Sequence, residues 1–196
     1  IYLIAPDRFA NGNTANDNVD GYQDKVDRQF KGGRHGGDIQ GIVDNLDYIK
    51  SMGFTQIWTM PMLENAMDKY SYHGYSTTDY YRIDPRFGSN DAFIDFSEKA
   101  KSEGVGIIMD MVLNHIGSNH KWMEDTPSKD WINNEGKFVG TTHKRESLHD
   151  PHAIESDIKG FGDGWFVPTM PDLNQRNPHL ANYLVQNAIW WVETAD

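Results

Sequence analysis

Three short clusters of polar and aromatic residues carry the side chains most able to do chemistry. The first occupies residues 110–115 and reads Asp-Met-Val-Leu-Asn-His, directly after the apolar residues 105–109. A carboxylate that ends an apolar strand is costly without partners, so Asp110 is expected to meet an arginine, a hydroxyl or a substrate in a cleft. The alternative is a capping aspartate beside a surface histidine.

The second cluster is rich in tyrosine and occupies residues 70–75, which read Tyr-Ser-Tyr-His-Gly-Tyr, with Asp79 shortly after it. A pyranose ring presents C–H groups to an aromatic face and hydroxyls to polar side chains, and tyrosines around His73 can satisfy both. Gly74 would let the backbone approach a ligand closely. The alternative is a tyrosine-rich loop that packs on itself.

The third cluster is a loop of oxygen donors at residues 7–18, which read Asp-Arg-Phe-Ala-Asn-Gly-Asn-Thr-Ala-Asn-Asp-Asn. Calcium takes about six to eight oxygen ligands, so this loop could hold it, although turn chemistry alone also favours Asn and Gly. An EF-hand loop is a further alternative, because the residues at its first, third, fifth, sixth and last positions would be Asn16, Asn18, Asp20, Gly21 and Asp27. Against it, the last position holds the shorter aspartate, and no entering helix is predicted before the loop.

The elements that position these clusters follow from apolar periodicity. A helix is predicted after Gly36 and Gly37, because apolar residues recur there at spacings of three and four, and Gly53 ends it. An apolar strand is predicted next, at residues 54–60.

The same order then repeats along the chain. Asn90 is expected to cap a second helix, which ends at a glycine and leads into a strand at residues 105–109. A third helix is predicted to begin at Asn177-Pro178, since proline suits the first turn. Repeated helix and strand units imply a parallel sheet, and the chemistry is expected at the carboxyl ends of its strands.

A long stretch separates the strand at residues 105–109 from the third helix. It is far longer than an ordinary connection between a strand and a helix, so an inserted subdomain is predicted there. Its aromatic residues are expected to give it a small core of its own: Trp122, Trp131, Phe138, Phe161, Trp165 and Phe166.

The overall composition limits the classes of molecule that the protein could bind. The 196 residues carry a formal net charge of -11, which opposes binding to nucleic acid because polyanions favour clustered Lys and Arg. Cys is absent, so no disulfide supports the fold, and no apolar run is long enough to span a bilayer. Both ends are expected to be cut, because the sequence opens on a strand-like Ile-Tyr-Leu-Ile without an initiator or signal segment.

The motifs resemble those of the α-amylase family of glycoside hydrolases. Residues 110–115 resemble its first signature, and residues 170–174, Met-Pro-Asp-Leu-Asn, resemble a later one. With residues 72–75 they occur in the family's order, and the resemblance covers essentially the whole chain. It implies an α/β fold, namely a partial TIM (β/α)8 barrel. Residues 1–115 would be the first part of the barrel, residues 116–170 the inserted domain B, and residues 171–196 the truncated third barrel helix.

Within the family, residues 7–12 and 35–41 resemble cyclomaltodextrinases and neopullulanases. The resemblance implies a substrate site made of His73, Tyr75, Asp110, Asn114 and His115. It also implies a calcium site made of side chains at Asn11, Asn13, Asn16, Asp17 and Asp38 and the backbone carbonyl of Gly36. One departure is Asp172. Neopullulanases commonly carry Lys at this position, whereas Asp is found there in the group intermediate with oligo-1,6-glucosidases. The type of bond cleaved is therefore left open.

The implied activity is hydrolysis of α-1,4 or α-1,6 glucosidic bonds with retention, in cyclodextrins, pullulan, starch or maltooligosaccharides. The nucleophile, the acid/base and the stabilising aspartate are expected after Asp196, so no catalytic carboxylate is assigned within the chain. The alternatives are a non-catalytic amylase-like subunit, as in amino-acid transporters, or a glucan-binding module. Calcium and a starch-like substrate favour a periplasmic or secreted enzyme, while a cytoplasmic location and a homo-oligomeric parent stay open.

Overall fold

The computed structural model describes residues 1–195, which form a parallel sheet with helices packed against it. The strands of this sheet are β1 (Tyr2–Ile4), β2 (Gln56–Thr59) and β5 (Gly106–Met109), in the order β1-β2-β5. Both pairings are parallel, with Ile4 opposite Thr59 and Thr59 opposite Met109. The predicted parallel arrangement is confirmed, and three strands leave the barrel unclosed.

The remaining elements connect and cover this sheet. Strands β3 (Leu63–Glu64) and β4 (Asp79–Ile83) form a short antiparallel pair in the long connection after β2. The helices are α1 (Pro6–Phe9), α2 (Ile39–Val43), α3 (Leu46–Ser51), α4 (Asn90–Ser102), α5 (Glu155–Gly162) and α6 (Pro178–Ala195). Within residues 1–195, no helix is both long and apolar enough to cross a bilayer.

The first predicted helix is divided into α2 and α3. The division falls at Asn45, whose φ of -114° and ψ of 16° depart from helical values. Its side-chain amide donates to the Gly41 carbonyl at 2.8 Å, so the side chain competes with the backbone for a helical acceptor. The apolar face survives the break, because Ile42 and Ile49 are fully buried.

The starts of α4 and α6 show how local hydrogen bonds set helix boundaries. The cap of α4 is Ser89 rather than the predicted Asn90, because the Ser89 hydroxyl accepts from the Ala92 amide at 3.1 Å. Asn90 instead bonds to the backbone of β4, where its side chain accepts from Ile83 N at 2.8 Å. The predicted start of α6 is confirmed, and the Asn177 side chain accepts from Leu180 N at 3.2 Å.

The inserted segment shares its core with the barrel helices. Trp122 packs edge-on against Trp131, with ring centroids 5.2 Å apart, and against Tyr183 of α6 at 5.1 Å. Phe138 and Phe166 are about half exposed and contribute little burial. The expectation of a separate small core is therefore wrong, because the buried tryptophans complete the main core instead.

Candidate functional site

The carboxyl ends of β2 and β5 bring the sugar-site candidates together. The Tyr75 hydroxyl donates to Asp110 Oδ2 at 3.2 Å, and the indole N–H of Trp58 donates to the same oxygen at 3.2 Å. Sequence reasoning missed Trp58. The signal was available, because Trp58 lies opposite Ile108 in the parallel register, and Asp110 follows Ile108 by two positions, which is the period of one strand face. Asp110 therefore holds two aromatic side chains in place.

The loop that presents Tyr75 depends on Gly74. This residue has a φ of 80°, and a Cβ at its position would lie 2.0 Å from the Pro61 carbonyl oxygen. Only glycine fits so close an approach, so the turn sets the rings of His73 and Tyr75 side by side, with centroids 5.9 Å apart.

His73 offers a hydrogen-bond donor next to Tyr75. Its Nδ1 accepts from the Tyr75 amide at 2.9 Å, so the proton resides on Nε2, for which the described residues supply no partner. Burial, reinforced by nearby His115, lowers the pKa of His73. A neutral ring with a free Nε2–H suits a sugar hydroxyl.

His115 has no free ring nitrogen in this geometry. Its Nε2 lies 2.7 Å from the Tyr75 carbonyl oxygen, which can only accept, so Nε2 carries the proton. Its Nδ1 then accepts from the Asn114 amide at 3.3 Å. The ring is 7% exposed, and burial lowers its pKa. A sugar hydroxyl could reach either nitrogen only by displacing a protein partner, so the direct contact implied by the resemblance stays a prediction.

Asp172 joins the site to the inserted segment. Its Oδ1 accepts from the Asn114 side chain at 3.1 Å, and its Oδ2 accepts from the Asn133 side chain at 2.7 Å. Burial raises the pKa of Asp172 to about 6, although both amide hydrogen bonds act in the opposite direction. Sequence reasoning treated this residue only as a marker of bond type and missed the link from Asp172 through Asn114 to His115.

The two loops of the proposed calcium site meet through Asp38. Its Oδ1 accepts from Gly12 N at 3.0 Å and, as the cap of α2, from Gly41 N at 2.7 Å. Its Oδ2 accepts from Asn13 N at 2.8 Å. Asp38 is fully buried, and Oδ2 keeps a lone pair for a further partner.

Two of the other predicted ligands, Asn11 and Asp17, lie beside Gly36. A Cβ at Gly36, which has a φ of 85°, would lie 2.5 Å from Asp17 Oδ1. Asn11 donates to that oxygen at 2.6 Å, and the Oδ1 atoms of Asn11 and Asn16 are buried without hydrogen-bond partners. Asn13 is exposed, and its Oδ1 accepts from Ala15 N at 3.1 Å.

The residues present fit a hard cation. Buried acceptors without donors are costly, and a calcium ion would satisfy the orphaned amide oxygens of Asn11 and Asn16 while neutralising Asp17. Among residues 1–195, no three His, Cys, Asp or Glu side chains are grouped to hold a metal. The proposed set has only two carboxylates, so it depends on amide and carbonyl oxygens.

The EF-hand alternative is wrong. The four-residue helix α1 (Pro6–Phe9) lies six residues before the loop, a single 3-10 turn (Thr14–Asn16) runs into its first position, and within the described residues no helix follows until Ile39. Asn18 Oδ1 accepts from Val26 N at 3.0 Å, and Asp27 Oδ1 accepts from Gln29 N at 3.0 Å. These side chains stabilise local turns, and the two flanking helices of an EF-hand are absent from this part of the described chain.

Comparison with known proteins gives a consistent picture. A sequence-family profile described as "Alpha amylase, catalytic domain" matches residues 3–196. A "Beta/alpha-amylase" of Paenibacillus polymyxa is 36% identical over 196 residues, covering 98% of this chain and 15% of that protein. A "Cyclomaltodextrinase" of Thermoanaerobacter pseudethanolicus is 34% identical over 207 residues, covering 100% of this chain and 32% of that protein.

Two further proteins are similar to the whole of this chain. The solved α-amylase of Anoxybacillus superposes with a TM-score of 0.82 at 37% identity, covering 100% of this chain and 38% of that one. An "Intracellular maltogenic amylase" of Bacillus subtilis is 32% identical over 200 residues, covering 100% of this chain and 31% of that protein. The chain thus spans about a third or less of the length of the curated relatives it matches.

Proposed function

The chain belongs to the α-amylase catalytic-domain family, and on that premise we propose that it supplies the first part of the barrel of a longer glycoside hydrolase, called the parent enzyme below. The parent enzyme hydrolyses α-glucosidic bonds of starch, maltooligosaccharides, cyclodextrins or pullulan with retention. The observation that carries this proposal is the arrangement of His73, whose Nε2–H is free, beside the ring of Tyr75, whose hydroxyl is bonded to Asp110.

The residues of this chain bind and orient the sugar in the proposed mechanism. The Tyr75 ring supplies an apolar face, and the His73 N–H donates to a hydroxyl. Asp110 keeps the Tyr75 and Trp58 side chains in one geometry, which supports a sugar held in a reactive pose. The acid, the nucleophile and the stabilising carboxylate come from the rest of the parent enzyme. Asp196 itself lies outside the described residues.

The activity is tested on the parent enzyme and on this chain separately. The parent enzyme should release products of retained anomeric configuration from maltoheptaose, β-cyclodextrin or pullulan, as followed by proton NMR in the first minutes of reaction. The 196-residue chain alone should release none, because positioned carboxylates perform the bond cleavage. A parent enzyme that cleaves no α-glucan would favour the non-catalytic subunit, and cleavage by the chain alone would refute the division of roles.

We also propose that Asn11, Asn13, Asn16, Asp17, Asp38 and the Gly36 carbonyl hold one calcium ion. A bound ion would connect the loop after β1 to the start of α2 and so stabilise the fold. The support is the contact of Asn11 with the Asp17 carboxylate, together with the buried, unpartnered amide oxygens of Asn11 and Asn16.

The calcium site is tested by thermal unfolding of the parent enzyme in chelator and in calcium. Calcium should raise the melting temperature. At a calcium concentration one hundred times the dissociation constant, binding adds about 2.7 kcal/mol to the free energy of unfolding. Asp17→Ala should remove that increase, whereas Asp27→Ala, an exposed carboxylate of the rejected EF-hand register, should retain it. Equal calcium responses in the wild type and Asp17→Ala would disprove the ligand set.

The cellular location stays a proposal. A periplasmic or secreted parent enzyme suits an extracellular glucan and a calcium-dependent fold, whereas the relative named as intracellular favours the cytoplasm. Fractionation of cells that express the parent enzyme decides between the two, because hydrolytic activity should follow one fraction.

A further inference from the structure

Tyr70 has a backbone conformation that a tyrosine rarely adopts. Its φ of 60° and ψ of 20° lie in the left-handed region, where a bulky side chain is disfavoured. Burial does not compensate for this strain, because Tyr70 is 51% exposed. Strained residues of this kind concentrate at binding and catalytic sites, where the surrounding structure holds them.

The neighbouring residue supplies that restraint. Ser71 is fully buried, and its backbone N–H and hydroxyl both donate to Asp24 Oδ2, at 2.8 and 2.9 Å. Arg34, also fully buried, donates to the Ser71 hydroxyl at 3.4 Å. Ser71 is therefore fixed from two sides, and Tyr70 must turn outward immediately before it.

The ring of Tyr70 is supported on one side and open on the other. A Cβ at Gly32 would lie 2.4 Å from the Tyr70 ring, so the ring rests directly on the backbone of Gly32. Phe30 flanks it, with ring centroids 5.7 Å apart, and is itself 45% exposed. The outcome is a rigid aromatic surface that faces solvent.

This surface borders a cleft that continues into the sugar site. The cleft has a volume of about 590 Å³, and its lining includes Met67, Tyr70 and His73 from the connection after β3 and Asn119, Thr169 and Met170 from the inserted segment. Small-molecule sites commonly have this size and this mixture of apolar walls with a few polar groups. His73 belongs to both the cleft and the proposed sugar site, so one glucan chain could occupy both.

We propose that Tyr70 is the stacking platform of an additional glucosyl-binding subsite, next to the sugar held at His73 and Tyr75. The proposal rests on the glucan-processing function given above. A glucosyl ring laid on the Tyr70 face would be closed in by Met67 and Met170, and Asn119 and Thr169 offer polar groups to its hydroxyls. Such a subsite contributes only to chains long enough to reach it, so Tyr70 would set the preference for longer substrates.

The test compares a short and a long substrate in the parent enzyme. Tyr70→Ala should lower kcat/KM for maltoheptaose about three- to tenfold while changing the value for maltotriose little, which reflects a typical aromatic stacking contribution. Tyr70→Phe keeps the ring and should behave like the wild type. Tyr48→Ala removes a tyrosine that is 53% exposed on α3, outside the cleft, and serves as the matched control.

Tyr70→Gly separates binding from folding, because glycine accepts the left-handed backbone without strain. This variant should keep or raise the melting temperature and still lose the advantage for maltoheptaose. Calorimetric titration of maltoheptaose and maltotriose onto the same variants gives a readout that is independent of turnover. Equal losses for both substrates in Tyr70→Ala, or a full maltoheptaose advantage in Tyr70→Gly, would overturn the subsite. A wild-type parent enzyme that binds maltoheptaose without cleaving it would instead count against the proposed hydrolytic function alone.

Discussion

Asp38 is expected to stabilise the fold even without calcium. Its buried carboxylate accepts three backbone N–H groups, two from the loop after β1 and one from the first turn of α2. The substitution Asp38→Ala removes both acceptor oxygens and so all three hydrogen bonds. If Asp38 acted only as a calcium ligand, any loss of stability in Asp38→Ala would come from the lost ion. Unfolding in chelator removes the ion from both proteins, so a remaining difference in stability reports the lost hydrogen bonds.

The magnitude follows from the three contacts. Loss of a helix cap costs about 1 kcal/mol, and a hydrogen bond to a charged group contributes about 1.5–3 kcal/mol. Gly12 and Asn13 are exposed, so water can replace part of what their N–H groups lose. These terms sum to about 4–7 kcal/mol, and because water replaces part of the loss we expect Asp38→Ala to lower the free energy of unfolding by about 3 kcal/mol. Asp38→Asn retains one acceptor oxygen and should cost about 1–2 kcal/mol.

The assay is denaturant unfolding of the parent enzyme in chelator, combined with hydrogen exchange at Gly12, Asn13 and Gly41. These three amides should exchange faster in Asp38→Ala than in the wild type. The control is Asp44→Ala, which removes an exposed carboxylate from the end of α2 and should change stability by less than about 0.5 kcal/mol. If Asp38→Ala matched the wild type in chelator, in both stability and exchange, the carboxylate would act only as an ion ligand and this reasoning would be wrong.

Two further predictions concern the network around the sugar site. His115→Ala should lower the turnover of the parent enzyme about a hundredfold and stability by about 2 kcal/mol, as lost hydrogen bonds to Asn114 and the Tyr75 carbonyl release the loop. Turnover near the wild-type value would show that neither the ring nor its contacts serve the site. Asp172 has its pKa raised to about 6 by burial, so the stability it contributes is full below about pH 4 and is lost as pH rises through 6. Urea unfolding at pH 4 and pH 7.5 should show that the free energy of unfolding of Asp172→Asn, relative to that of the wild type, rises by up to about 3 kcal/mol from the lower to the higher pH. Free energies of unfolding that change in parallel with pH in the two proteins would contradict the burial argument.

The sequence predicts the features that depend on neighbours along the chain. The parallel strands, the proline start of α6 and the polar residues at strand ends all follow from apolar periodicity and turn residues. The hydrogen-bonding partners of these polar residues do not follow from such patterns. Asp172 meets the Asn114 side chain across 58 positions and Trp58 meets Asp110 across 52, so only the folded sheet reveals these contacts.

Local competition explains the smaller errors. Asn45 and Asn90 both have side chains that can bond to a backbone group several residues away, and sequence patterns do not tell which group each one selects. The single-helix interpretation of residues 39–52 and the choice of Asn90 as a cap failed for this reason.

The packing of Trp122 on Tyr183 has a consequence for how the chain folds during synthesis. Trp122 lacks part of its apolar surround until α6 arrives, and α6 also donates to the β4 backbone through Asn187 and Trp191. A ribosome adds about 5–20 residues per second, so Trp122 precedes the end of α6 by roughly 4–15 s. During that interval the exposed indole is a site for chaperone contact or for misassembly between nascent chains. Slower translation between residues 166 and 195 should prolong this vulnerable state.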